Sequence, residues 1–380
     1  VARRDGAPSG EASERQAPLK FTIFGLTLSS SWGNGHATPY RAILKALDQR
    51  GHQVTFYEKD VPFYALRRDF EHCDFCHLVL YRNWDEIRGR VLPELGDTDV
   101  VLNASYCPEG ARIIDDVLNV SGPLHVFYDL DTPITLAALE GGDVEYLRRE
   151  QIPEFALYLS FTGGTILSDL ETKWNARAAR PLYGCVDPEV HAAVPRRASF
   201  QCLFSYMGTY AADRQKKLDA LFLEPARRLS KDQFVLAGSL YPREWWWPAN
   251  VRRFEHIAPA DHPALYSSSR ATLNITRGGM ATAGYCPSGR FFEAAACGTP
   301  IVSDYFEGLQ RFFTPGEEIM LASNAEEVVA ALTQSAAELS HIAEAARART
   351  LREHTGKNRA EELLSYLTEV KERRAKSEVA

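Results

Sequence analysis

Hydrophobic and polar positions follow two rhythms along the chain. Short, nearly unbroken apolar runs of strand length occur at 21–28, 53–57, 99–103, 124–128 and 157–161, each ending in a polar or glycine-bearing loop. Such runs have no polar face and read as strands covered on both sides. Between the first two, 39–50 has helical spacing and stops at Gly51, which makes a β-α-β unit. Around 181–195 the periodicity lapses into prolines and a glycine. It then restarts, with strands at 202–208, 233–238, 253–257 and 271–275 and helices at 212–229 and 264–268. The pattern predicts an α/β fold of two Rossmann-like domains facing across a cleft, 19–190 and 191–356. The amphipathic stretch within 357–380 predicts a last helix returning to the first domain, and the polar, aperiodic 1–18 reads as a disordered leader.

With 380 residues, 45% of them hydrophobic, the chain can fill two cores. A formal charge of -7 provides no general basic field, which argues against a nucleic acid duplex as the main partner, so any phosphate must be gripped locally. No apolar run reaches the roughly 18 residues of a membrane span, and 1–20 has no apolar signal core; the expected location is the cytoplasm. Seven scattered cysteines fit reduced thiols. Cys73-Asp-Phe-Cys76-His77 spells a haem-attachment pattern, but no second cysteine pair completes a zinc site, and half-buried thiols on a helix account for the same letters.

The richest stretch is 282–304, which reads as loop, Ala-rich helix, glycine stop and strand. Ser288 suits the N-cap, Gly289 permits close backbone approach, and Arg290 stands beside the unpaired amides of the first turn, so together they make an anion site. Glu293 falls one turn further in, where a ribose diol could donate to it. An Ala-rich helix simply packed on its sheet is the plain alternative. Gly208, Thr209, Tyr210 and Arg214 close one strand and open a helix as a second diphosphate clamp, and Gly238-Ser239 ends the next strand in the same sense. Trp245-Trp246-Trp247 reads as a ligand platform or as an aromatic plug.

In the first half, Gly35 and His36 end a Ser/Gly loop before a helix that Thr38 can cap and Pro39 can start. His36 suits a base, a ligand contact or a hydrogen-bonded structural role. Asp129 and Asp131 close an apolar strand, where alternation turns both to one side; they could deprotonate a hydroxyl or hold a divalent cation, or serve as an N-cap and a solvent carboxylate.

These segments resemble glycosyltransferases of the two-domain GT-B type, in particular the CgeB-like (spore-maturation-type) group-1 relatives, over about 21–367. The resemblance is carried by Met207-Gly-Thr-Tyr with Asp213-Arg214, by 234–239, by His262-Pro-Ala-Leu-Tyr266, by Leu273-Asn-Ile-Thr-Arg277 and above all by 286–300. It implies a nucleoside diphosphate sugar, foremost a UDP-sugar, bound by the second domain, with no cofactor required and any divalent metal confined to Asp129 and Asp131. It also implies transfer to a small-molecule, glycan or protein acceptor in the cleft. Gly35, Asp129, Gly163 and Gly164 then fall on the acceptor side, with Asp131 as first and His36 as second choice of base. Related retaining enzymes carry a glutamate eight positions before the ribose glutamate; here Tyr285 stands there, among the donor-side residues, and the stereochemical outcome stays open. A sugar-nucleotide epimerase or hydrolase, or a non-catalytic sugar-nucleotide-binding protein, remains the alternative.

Overall fold

A computed structural model describes residues 17–70, 72–142, 144–242 and 244–379. The first sheet contains β1 (Lys20–Gly25), β2 (Gln53–Lys59), β3 (His77–Tyr81), β4 (Val100–Ala104), β5 (Leu124–Asp129), β6 (Leu157–Ser160) and β7 (Ala179–Pro181). All pair in parallel in the order β3-β2-β1-β4-β5-β6-β7. Its helices are α1 (Ala37–Asp48), α2 (Pro62–Ala65), α3 (Trp84–Glu94), α4 (Gly110–Val117), α5 (Thr132–Glu140) and α6 (Thr165–Thr172). β1 lacks a polar face because both sides are covered: Phe21 and Ile23 pack under α1, whereas Phe24 meets Tyr57 and Trp84.

The second sheet contains β8 (Cys202–Met207), β9 (Phe234–Ala237), β10 (Val251–Phe254), β11 (Ser269–Asn274), β12 (Ile301–Ser303) and β13 (Met320–Leu321), in the parallel order β10-β9-β8-β11-β12-β13. Around it lie α7 (Ala212–Leu218), α8 (Glu224–Arg228), α9 (His262–Ser268), α10 (Gly278–Ala283), α11 (Gly289–Ala296), α12 (Ala325–Leu332), α13 (Ala336–Glu353) and α14 (Gly356–Val379). Leu363, Leu364 and Leu367 of α14 join Ile43, Leu44 and Leu47 of α1 in the core of the first domain.

Three local readings change. The helix expected over 212–229 is interrupted by a π-helical turn at Asp219–Leu223, just before Pro225, which cannot donate a backbone hydrogen bond. The first strand stops at Gly25, and 27–30 folds instead around the Glu58 carboxylate. Cys73 and Cys76 lie on the turn entering edge strand β3 rather than on a helix.

The chain crosses between the domains at 183–186 and returns at 353–359, and the two crossings are welded. Val186 N–H donates to His354 O (3.1 Å) and Gly356 N–H to Val186 O (2.9 Å). A Cβ on Gly356 would lie 2.2 Å from Ala42 O, so only glycine allows this approach to α1. Arg359, 1% exposed, donates to Tyr183 O (3.1 Å), Gly184 O (3.3 Å), Glu353 O (3.3 Å), Glu362 Oε1 (2.8 Å) and His354 Nδ1 (2.8 Å).

Because Arg359 donates to His354 Nδ1, that nitrogen carries a lone pair and the ring is neutral. Burial first, then the charges of Arg359, Arg349 and Arg311, push the His354 pKa down to about 3. The unfolded chain takes up this proton near its ordinary value of 6.5 and the folded chain refuses it. The contribution is therefore nil above about pH 6.5 and destabilising below it, by about 1.4 kcal/mol per pH unit until the folded value is reached. His354→Asn keeps an acceptor and removes the titration. Calorimetric unfolding between about pH 6.5 and 4.5 is expected to show a shallower loss of stability in the variant by roughly that slope; equal slopes would overturn the assignment.

Candidate functional site

In a parallel sheet, ligands bind beyond the strand carboxyl ends where the order reverses. The first sheet reverses between β1 and β4, and the second between β8 and β11. Loops from all four strand ends line one interdomain cavity of about 620 Å³, represented by His36, Tyr106, Thr209 and Arg277.

The second domain builds its wall by close backbone approach. Gly208 N–H donates to Ala237 O (2.8 Å) and Tyr210 N–H to Ser239 O (2.9 Å), and a Cβ on Gly238 would lie 2.0 Å from Gly208 O. The packing that brings these loops together is what requires glycine at 238. Three guanidinium groups meet here. Arg290 donates to Asn274 Oδ1 (3.0 Å) and lies over the Tyr206 ring; Arg214 donates to Thr209 O; Arg277 stands 3.8 Å from Asp213 Oδ2. The side-chain hydrogen bonds of Arg214 and Arg290 go to neutral oxygens, and the buried Nε atoms of Arg214 and Arg277 have no hydrogen-bond partner among the described residues. Burial first, with smaller effects of Arg290 and Arg277 nearby, lowers the Arg214 pKa.

Ser288 occupies the N-cap position of α11 with extended backbone, but its side chain makes no cap, leaving the first-turn amides without a side-chain acceptor. Glu293 lies one turn in, 8% exposed, on the cavity wall. Burial by itself would raise its carboxyl; contact with His262, whose Nδ1 is 3.5 Å from Oε2, and the charges of His262, His191 and Arg290 outweigh it and hold the pKa at about 2. Glu293 is a fixed acceptor. Neither Arg277 nor His262 stood out as a site residue in the sequence, although both lie in segments that carry the resemblance.

On the first domain, buried Glu58 of β2 organises the loop to His36, accepting from Thr27 Oγ1 (2.9 Å), Leu28 N (2.7 Å), Ser29 N (2.9 Å) and Ser29 Oγ (2.5 Å). Asn34 Oδ1 accepts from His36 N (2.7 Å), and His36 rather than Thr38 is the N-cap residue of α1. Its ring is left to face Asp131, with Nε2 4.0 Å from Oδ2. Asp131 is the N-cap residue of α5 without a side-chain cap bond and lines the cavity, as does Gly35.

Asp129 does not share this side. The strand ends at Asp129, so alternation no longer applies, and its buried carboxylate accepts from Tyr158 Oη (2.6 Å), Thr135 Oγ1 (2.9 Å) and Asp131 N (3.1 Å). Burial raises its pKa to about 6 against those hydrogen bonds. The two aspartates therefore do not converge as a metal pair, and no cluster of three metal-ligating side chains occurs among the described residues. Gly163, Gly164 and Tyr285 also lie outside the cavity lining. Gly163 N–H donates to Tyr285 O (3.0 Å), and the Tyr285 ring fills the space a Cβ would need on both Gly164 and Gly308 (2.4 Å each). These residues form an interdomain contact rather than acceptor- or donor-side lining.

Trp245 and Trp247 pack with Tyr210 and Tyr241 as a plug behind the wall, and Trp246 is exposed. Cys73 and Cys76 are free thiols with Sγ atoms 2.8 Å apart and do not line the cavity.

Residues 214–365 match a family model described as glycosyl transferase-like. No curated protein matches the chain in sequence comparison. Among solved structures, sucrose-phosphate synthase from Thermosynechococcus elongatus superimposes with a TM-score of 0.63 at 12% identity, covering 93% of this chain and 99% of that one. An α-glucosyltransferase in complex with UDP-glucose and abasic-site DNA gives 0.68 at 13% identity, covering 93% and 100%. HepE of Anabaena in complex with UDP-glucose gives 0.63 at 11% identity, covering 92% and 100%. The chain thus has the fold of the two-domain GT-B glycosyltransferase structures, with the glycosyl transferase-like signature in its second half.

Proposed function

We propose that the protein is a glycosyltransferase that moves a hexosyl group from a UDP-sugar to a hydroxyl acceptor in the interdomain cleft. The observation that carries this reading is the wall of Arg214, Arg277 and Arg290 beside the open first turn of α11, with anionic Glu293 one turn further in. A diphosphate matches the cations and amides, and a ribose diol matches the carboxylate. Relatives of the same fold that hold UDP or UDP-glucose support the choice of nucleotide.

Transfer breaks the bond between the anomeric carbon and the diphosphate oxygen, and negative charge grows on the leaving group. Fixed guanidinium groups and helix amides stabilise that charge without reorganising. We assign Asp131 as the base that takes the acceptor proton if the outcome is inverting, with His36 beside it as the second choice. In a retaining reaction Asp131 would orient the acceptor instead.

Titration calorimetry with UDP and UDP-glucose tests the donor site. Glu293→Ala and Arg290→Ala are each expected to weaken UDP binding by roughly ten- to a hundredfold, the scale of a lost charge-assisted hydrogen bond; undiminished binding and turnover in both would overturn the reading. Incubating UDP-glucose alone separates transfer from epimerisation or hydrolysis, because a changed or released sugar without an acceptor favours the latter.

A second expectation follows from the crowded charge. Arg214→Met relieves repulsion and keeps bulk, so unfolding of the unliganded protein at low salt should show stability unchanged or raised by up to about 1 kcal/mol, while the stabilisation conferred by UDP shrinks. A substantially less stable variant that still gains fully from UDP would contradict it.

A further inference from the structure

Loop 105–109 follows β4 at the reversal point of the first sheet and carries a residue in costly conformation. Cys107 N–H donates to Ala104 O (3.3 Å), closing a tight turn whose third residue, Tyr106, has φ 62°. Glycine or asparagine is the low-cost occupant of such a position, because a Cβ is crowded there. Glu109 in the same loop is also left-handed (φ 61°), but it is ion-paired to Lys59 (2.8 Å).

What the conformation achieves is placement. Tyr106 lines the cavity, its ring centroid 5.4 Å from that of His36 and 4.9 Å from that of Tyr146. Tyr146 Oη is 2.9 Å from Thr135 Oγ1, which donates to Asp129 Oδ1 (2.9 Å), so the ring rests on a buried hydrogen-bonded base. A tyrosine hydroxyl keeps its proton at neutral pH and is a donor, and Asp131 Oδ2, 4.0 Å from Nε2 of the same His36 ring, lies in the same corner of the cavity. Asp131 beside it is an acceptor. A donor and an acceptor side by side match a sugar hydroxyl, which both gives and takes a hydrogen bond.

We propose that Tyr106 is a substrate-contacting residue whose hydroxyl, together with the Asp131 carboxylate, grips a sugar hydroxyl across the cleft from the arginine wall. The proposal rests on the glycosyltransferase reading and adds the contact by which a sugar ring is distinguished from the bare nucleotide. That ring belongs either to the donor or to the acceptor, and the same variant separates the two.

Tyr106→Phe removes one oxygen and keeps the ring packing. If the ring is the donor's, UDP-glucose affinity falls roughly tenfold while UDP affinity is unchanged. If it is the acceptor's, both affinities hold, and the KM of a methyl glycoside acceptor rises by a similar factor. The proposal is overturned if the variant matches the native protein in all three measurements, or if UDP affinity falls in step with UDP-glucose affinity. Because Tyr106→Phe keeps the ring on Tyr146, it also supplies the structural control: its thermal stability should match that of the native protein while the discrimination is lost. A large loss of thermal stability in this variant would make the hydroxyl a structural group and sink the proposal. Failure of the native protein to bind either UDP or UDP-glucose would instead bring down the underlying donor reading.

Discussion

The buried guanidinium of Arg359 holds together what the rest of the structure assumes. Two stretches of backbone crossing between domains present carbonyls that their own domains leave unpaired, and a buried unpaired carbonyl is costly. One planar cation with five donors satisfies Tyr183, Gly184 and Glu353 carbonyls, the Glu362 carboxylate and the His354 ring together. Lys45 of α1 adds a contact to Asp187 (2.7 Å) just beyond the crossing. With both crossings fixed to α1 and α14, the carboxyl ends of the two sheets face each other and a cavity exists between them.

Electrostatics divides that cavity. The second domain places three cations on one wall, with Asp213 facing Arg277, and the first places Asp131 and His36 opposite. In the proposed function these cations meet the diphosphate as fixed groups that need no reorganisation. Glu293 is the exception within the cationic wall: burial would raise its carboxyl, and the contact with His262 outweighs that and keeps it charged.

Much of this was legible in the sequence because both sheets are parallel and covered on each side, which leaves unbroken apolar runs separated by loops. Gly208, Gly238, Arg214, Arg290 and Glu293 were readable because glycine turns and helix starts impose local rules, and all five reach the cavity. Long-range packing was not readable. β3 is a partly exposed edge strand whose flanking cysteines drew attention to chemistry rather than to pairing. Asp129 looked equivalent to Asp131 until the strand end separated them, and Tyr285 was read on the donor side from its place eight residues before Glu293, while its packing against Gly164 and Gly308 is visible only in the folded chain. Glu58 and Arg359 gave no signal, since a buried charge is recognisable only through the groups it satisfies.

Residues that defy local preference offer a second kind of signal, visible once the backbone is known. Non-glycine residues at positive φ include Tyr106, Leu240 and Tyr285, and these stand within the cavity lining or one residue from Ser239 and Cys286, which line it. Asn175, a residue type that tolerates the left-handed region, lies away from the lining. Strain accumulates where neighbouring structure over-determines a conformation, and the cleft loops are held by strand ends on one side and by the opposite domain on the other. A bulky side chain at a turn position suited to glycine costs folding stability, and at Tyr285 that cost is offset by the ring's packing between Gly164 of one domain and Gly308 of the other.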